Sequence, residues 1–353
     1  SISSCCNMAD SPAMAEVSFD SLPLDDRLRK AIAHIGWQSP TLIQAKALPL
    51  ALRGKDVLAR ARTGSGKTGA YALPILQKIL DAEGFNTNTQ VQRTGPKAVV
   101  LVPTKELVEQ VRQVFLALTH FAPSVSIAAL TADQPLATHK SILATHPHVL
   151  ISTPARIAQH LKAQHLKLRQ SLEVLVLDEA DLLLSYGFDA DIKAVTEQLP
   201  NICQSILMSA TLSEEVDQLK ALVMNNPVTL KLEEDSKDEG QLTQFSLRCS
   251  TGDKFLLSYV LLKLGILTGK VLFFVNKVDR CYELKLFLEQ FSVRCAVLNS
   301  ELPQNSRANI IKCFNKGLFN YVIATDEAMD SPDADEDDML EEAAEEEEEE
   351  EEE

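Results

Sequence analysis

Short continuous apolar runs alternate with longer segments of helical spacing along most of the chain. DVLA (56–59), AVVLVP (98–103), VSIAAL (125–130), VLIST (149–153), LEVLVLD (172–178) and QSILMSAT (204–211) each precede a segment of that kind. Continuous rather than alternating hydrophobicity predicts strands buried on both faces, as in a parallel sheet covered by helices. The βαβα order predicts an open, doubly wound α/β domain. In such a domain ligands gather outside the carboxyl ends of the strands.

Residues 231–244, KLEEDSKDEGQLTQ, are charged and polar without apolar periodicity, and read as an interdomain linker. The rhythm then restarts with SLRC (246–249) as a strand and a helix at 253–264. KVLFFV (270–275), a helix at 277–290, VRCAVLN (293–299), a helix at 303–316 and NYVIAT (320–325) follow. This predicts a second α/β unit, broken off after its strand at 320–325. The expected organisation is a disordered leader (1–16), a first domain (17–230), the linker (231–244), a partial second domain (245–327) and a disordered acidic tail (328–353).

Composition supports two domains: 353 residues, 45% of them hydrophobic, supply sizeable cores. The net charge of −16 is misleading as a whole, because Asp330–Glu353 holds 17 acidic and no basic residues and leaves the other 329 at +1. A near-neutral body leaves nucleic acid open as a partner, since binding depends on local patches. The tail ends in nine consecutive Glu and has too little apolar surface to fold. It reads as a solvated acidic run; the sharper alternative is a nucleic-acid mimic competing for the chain's own basic groove. No apolar run reaches membrane-spanning length, which predicts a soluble chain, and SISSCCNMADSPAMAEV lacks the pattern of a secretory signal. Seven cysteines without C-x-x-C spacing predict reduced thiols rather than a disulfide framework or a zinc site.

The strongest local signal is ARTGSGKT (61–68), placed between the apolar run DVLA and a helical pattern. Strand, glycine turn and helix form the context of a phosphate-binding loop. Gly64 and Gly66 permit a tight turn, and the freed N–H groups and helix N-terminus face an anion. Lys67 supplies a point charge for β- and γ-phosphates, and Thr68 a hydroxyl for Mg²⁺. Ala61 stands where the pattern G-x-x-x-x-G-K-[ST] has glycine, which is tolerable at negative φ. VLVLDEAD (174–181) delivers Asp178 to a strand end, where it can hold Mg²⁺, while Glu179 can polarise an attacking water. For Asp181, complementing a helix dipole is a sufficient reading.

In combination these motifs resemble the DEAD-box RNA helicases. Asp178-Glu179-Ala180-Asp181 spells that family's name motif, and Ser209-Ala210-Thr211 resembles the motif that couples ATP state to strand separation. Pro103-Thr104-Lys105-Glu106-Leu107 and Thr153-Pro154-Ala155-Arg156 resemble its RNA-backbone motifs. Gly36-Trp37, Pro40-Thr41 and Ile43-Gln44 resemble its adenine-reading motif, with Phe19 in the usual place 17 residues before Gly36. The resemblance spans roughly 17–326. It implies two RecA-like domains, ATP with Mg²⁺, and RNA contacts at Pro103, Thr104, Lys105, Thr153, Arg156, Arg280 and Arg307. It places ATP against Phe19, Trp37, Thr41, Gln44 and the loop Ala61, Arg62, Thr63, Gly64, Ser65, Gly66, Lys67 and Thr68. Catalysis falls to Lys67, Asp178 and Glu179, the metal to Thr68 and Asp178, and coupling to Ser209 and Thr211. An amide at Gln44 has the donor and acceptor needed to read adenine.

Ser209 and Thr211 have a simpler alternative as caps of the helix starting near Ser213. Phe273 and Phe274, in the stretch resembling the fourth motif, read as core strand residues. The family's Gly-Gly pair is missing from ALTADQPLATHK, Lys105 replaces the commoner arginine, and Ala155 the usual glycine. LARARTGSGKT, PTKEL and DEADLLLSYGF resemble most the nucleolar members acting in large ribosomal subunit assembly. That implies a nuclear, nucleolar monomer working on pre-ribosomal RNA beside ribosome assembly factors, with no membrane partner. Ala324-Thr325-Asp326 opens the fifth motif, but A-R-G-[IL]-D does not follow, and the H-R-x-G-R-x-x-R motif is absent. The expectation is ATP·Mg²⁺ binding with slow hydrolysis, in a chain stopping inside an acidic insertion or ended by a splice or gene-assembly error.

Overall fold

Seven short apolar segments lie side by side as one parallel sheet: β1 (Val57–Arg60), β2 (Ala98–Leu101), β3 (Ile127–Leu130), β4 (Val149–Ser152), β5 (Val174–Leu177), β6 (Gln204–Ser209) and β7 (Val228–Lys231). Their order is β3-β4-β2-β5-β6-β1-β7. The computed structural model describes residues 18–85, 95–132, 134–232 and 243–325. The chain divides into two units, Ser1–Gly240 and Gln241–Glu353. The expected leader, the acidic tail and most of the expected linker lie outside the described residues.

The order follows from burial. β1, β2, β4, β5 and β6 are the continuous apolar runs and take interior places, whereas the edge strands β3 and β7 alternate in burial. Successive side chains of one strand point to opposite faces. Val57 and Ala59 therefore pack with Leu28, Leu48, Tyr71 and Phe115 on one side. Leu58 and Leu175 pack with Ile157, Leu183 and Ile192 on the other. Burying each large apolar side chain stabilises by about 1.5–3 kcal/mol. The first face carries α1 (Asp26–Ile35), α2 (Leu42–Ala51), α3 (Lys67–Phe85) and α4 (Lys105–Leu118). The opposite face carries α5 (Leu136–Leu143), α6 (Pro154–Lys162), α7 (Ala180–Ser185), α8 (Asp189–Thr196) and α9 (Glu214–Val223).

β7 corrects the expected linker boundary: Lys231 is still in register with Arg60 of β1. Its half-buried edge position gives VTLK an alternating pattern in place of a continuous apolar run.

The second unit contains α10 (Lys254–Lys263), β8 (Val271–Val275), α11 (Val278–Gln290), β9 (Cys295–Leu298), α12 (Gln304–Asn315) and β10 (Tyr321–Thr325). Its strands are parallel in the order β8-β10-β9. Cys281, Leu284, Leu288, Val297 and Ile323 form its core, with Phe255, Tyr259 and Phe273 against it. Two expectations fail here. Residues 246–249 form no strand; they are exposed and pair with no other strand, so nothing holds them extended. Phe274 is 69% exposed, because only alternate residues of β8 face the core and Phe273 takes that side. No helix among the described residues is long and apolar enough to cross a membrane.

Candidate active site

The loop between β1 and α3 leaves the sheet at its carboxyl edge. Ala61 is buried, keeps negative φ, and donates its N–H to Ser209 O at 3.0 Å, prolonging the β1–β6 ladder by one residue. A methyl group fits there. Gly66 is different: its φ is +91°, and a Cβ would stand 2.8 Å from Gln44 Nε2 and 3.0 Å from Thr41 Oγ1. The N-terminus of α2 is thus pressed onto the loop. Gln44 is buried, donates from Nε2 to Gly66 O at 3.1 Å and accepts the Thr41 N–H on Oε1 at 3.1 Å. Phe19 lies buried beneath Trp37, the rings stacked at 6.3 Å and 24°. A cavity of about 190 Å³ opens here, lined by Thr41, Leu42, Ala61, Arg62, Gly64 and Ser65. Arg62, Thr63 and Gly64 are exposed.

Behind the loop sits a dry cluster of charge. Lys67 Nζ donates to Glu179 Oε2 at 2.9 Å, the two side chains being 5% and 11% exposed. β5 carries Asp178 to the same place. Its Oδ1 accepts the Glu179 N–H at 3.0 Å and its Oδ2 accepts the Tyr71 hydroxyl at 2.8 Å. Burial pushes the Asp178 carboxyl up to about 6, against the opposing pull of the Tyr71 hydrogen bond and of Lys67. Glu179 caps α7 with φ 50° and ψ 56°, the left-handed region that a side-chain-bearing residue rarely occupies. Such strain, held by surrounding contacts, is concentrated at functional positions.

Asp181 joins this cluster to the end of β6. Its Oδ2 accepts from Ala210 N at 3.2 Å, Thr211 N at 3.1 Å and Thr211 Oγ1 at 3.1 Å. The dipole reading of Asp181 therefore understates it. Neither Ser209 nor Thr211 caps α9; Ser213 does, accepting from Val216 N at 3.4 Å. Ser209 is fully buried and its Oγ has no hydrogen-bond partner.

The expected RNA contacts of this unit lie past the ends of β2 and β4. Pro103 is buried. The Thr104 hydroxyl caps α4 by accepting from Leu107 N at 3.3 Å, and Lys105 lies 3.9 Å from Glu106. Thr153 precedes Pro154 at the start of α6 with no cap bond from its side chain. Arg156 donates to Ala132 O and to Gln159 Oε1, both at 2.8 Å. Arg280 and Arg307 belong to the second unit. Arg280 pairs with Glu283 at 3.2 Å and lies over the Phe255 ring, while Arg307 is half-buried on α12.

The donor set suits a magnesium nucleotide. The glycine cradle, the lysine, the Thr68 hydroxyl and two adjacent carboxylates stand at one strand edge. Among the described residues no group of three or more His, Cys, Asp and Glu could hold a metal ion. A cation held by one carboxylate, phosphate oxygens and water is the usual Mg²⁺ arrangement. Sequence reading missed the bond from Tyr71 to Asp178 and those from Ala210 and Thr211 to Asp181. Tyr71 looked like one more apolar position of α3; its hydroxyl was the only signal.

The profile of the DEAD/DEAH box helicases matches residues 41–219, and that of the helicase conserved C-terminal domain matches 253–335. The chain is 50% identical over 317 residues to ddx56 of Dictyostelium discoideum, named a probable ATP-dependent RNA helicase, covering 90% of this chain and 46% of that protein. It is 49% identical over 313 residues to the ATP-dependent RNA helicase dbp9 of Aspergillus oryzae, covering 88% and 51%. It spans about half the length of these relatives. Among solved structures, S. cerevisiae Dbp5 bound to RNA and ADP BeF3 superposes with a TM-score of 0.70 at 27% identity, over 88% of this chain and 76% of that one. A DEAD box protein from Methanococcus jannaschii gives 0.55 at 26%, over 87% and 80%.

Proposed function

The chain belongs to the DEAD/DEAH box helicase family, and from that membership we propose that it holds ATP·Mg²⁺ on its first unit and couples ATP hydrolysis to local opening of RNA duplexes. The observation that carries this reading is the Lys67–Glu179 contact at 2.9 Å, with Asp178 hydrogen-bonded beside it. One buried cation and two buried carboxylates at the mouth of a glycine loop suit charged phosphates better than any structural need.

Each residue then has a task. The loop N–H groups and Lys67 bind phosphate, and Lys67 exchanges Glu179 for the ligand. Thr68 and Asp178 would hold Mg²⁺, which neutralises developing phosphate charge when bound. Glu179, released, orients a water and takes its proton. Gln44 and Thr41 read the adenine edge, with Trp37 over the first turn of α3 and Phe19 beneath it. Asp181 carries the state of this site to Ala210 and Thr211. Thr104, Lys105, Thr153 and Arg156 meet the RNA backbone, as do Arg280 and Arg307 on the second unit. We place the protein in the nucleolus, on pre-ribosomal RNA, from the resemblance of its motif variants.

RNA-stimulated phosphate release by the chain, abolished in Lys67→Ala and in Glu179→Gln, is the expected result; release indifferent to both substitutions rejects the reading. One observation favours a second reading for this chain assayed by itself. Its 353 residues contain no H-R-x-G-R-x-x-R run, and arginine fingers contribute about 10³–10⁵ in rate. ATP and RNA binding with slow turnover would then be seen.

A further inference from the structure

We propose that Tyr71 is a positioning residue that sets the geometry of the Mg²⁺ site, an inference resting on the ATP·Mg²⁺ reading above. Tyr71 lies three residues after Thr68 on α3, so both side chains leave the same face of the helix. It is fully buried, its ring tilted at 6.3 Å against Phe115. Phenylalanine would fill that space equally well, so packing does not account for the hydroxyl. The hydroxyl is 2.8 Å from Asp178 Oδ2, donating to it. One of the two side chains assigned to the cation therefore ends on this phenol, and the other leaves α3 about one turn before it.

Asp178 is fixed at both of its oxygens. Oδ1 accepts the Glu179 N–H and Oδ2 accepts the Tyr71 hydroxyl. Two donors on different oxygens lock the carboxylate plane, where one would leave it free to turn about Cβ–Cγ. The lone pairs left over then point in a set direction. Partners that orient a metal ligand in this way typically contribute 10–100-fold to metal affinity.

The test uses the full chain and a fluorescent ATP analogue, titrated with Mg²⁺ and, separately, bound in EDTA. Tyr71→Phe should raise the Mg²⁺ concentration for half-maximal binding by about 10–100-fold. Its affinity for the nucleotide in EDTA should match wild type, and its Tm should stay within a few degrees. An unchanged Mg²⁺ requirement in a folded Tyr71→Phe chain overturns the proposal, as does an equal loss of binding in EDTA, which would place the effect on the loop. If wild type binds no nucleotide under any condition, the ATP reading itself fails and the inference falls with it.

Discussion

Lys67 Nζ rests 2.9 Å from Glu179 Oε2, both side chains almost out of water. The lysine proposed to hold phosphate thus holds the glutamate proposed to activate water. Nothing in this arrangement is idle: the lysine is neutralised and the glutamate is kept off solvent.

Removing one partner of such a pair strands the other. Lys67→Ala should destabilise the nucleotide-free chain by about 3–5 kcal/mol. Adding Glu179→Gln to that variant should recover part of the loss, because the stranded carboxylate is gone. Calorimetric melting of the single and double variants decides; a double variant melting below Lys67→Ala would remove the pair as a stabilising unit.

Ser209 makes the opposite prediction. Its buried Oγ has no partner, and an unsatisfied buried polar group costs about 1–3 kcal/mol. Ser209→Ala should leave the urea midpoint unchanged or raise it, while lowering RNA-stimulated phosphate release. A marked fall in the midpoint would show that the hydroxyl is stabilising as it stands.

Asp181 accepts three donors from two consecutive residues. Thr211→Val removes one and keeps both backbone bonds, so it should cost less than about 1 kcal/mol. Asp181→Ala leaves the Ala210 and Thr211 amides without an acceptor, and their hydrogen-exchange protection should drop sharply. Equal protection in the two variants would contradict the arrangement.

A pH dependence arises away from the site. Burial pushes the His160 imidazole down to about 4, and His139, His165 and Arg156 act in the same direction. His139 Nδ1 lies 3.2 Å from His160 Nε2, and His160 Nδ1 lies 3.3 Å from His165 Nδ1. An unfolded histidine titrates near 6.5. As pH falls below that, the unfolded chain takes up a proton that the folded chain refuses, so stability present at neutral pH is lost. Tm should decline between pH 6.5 and 5, before most carboxylates titrate, and His160→Gln should flatten that slope. A slope unchanged in the variant would assign the decline to other groups.

Much of this was legible because burial and pattern coincide. VLVL and AVVL occupy sheet interiors and announce themselves as apolar runs, and the loop after DVLA could be placed from its glycines. β7 escaped because an edge strand buries only alternate residues, so VTLK offered half the signal. Residues 246–249 misled for the converse reason: SLRC has strand-like residues, but a strand needs a neighbour. Phe274 was assigned to the core on type, whereas its side of β8 faces outward. Within the site, Lys67, Asp178 and Glu179 were named by motif. Tyr71 was hidden, since a phenol on an apolar helix face differs from phenylalanine by one oxygen, and only the fold shows that Asp178 receives it.

Gln44 has a thermodynamic consequence for base recognition. Its Nε2 already donates to Gly66 O, and its Oε1 already accepts from Thr41 N. If it reads adenine as proposed, binding is an exchange of existing hydrogen bonds, and their net contribution to affinity is close to zero. Selectivity then comes from the penalty on the wrong base, which would break those bonds and return none of them, leaving buried amide groups unpaired. Such a site binds its nucleotide with modest affinity and still discriminates strongly. Tightening the grip on ATP would have to come from the phosphates, not from the base.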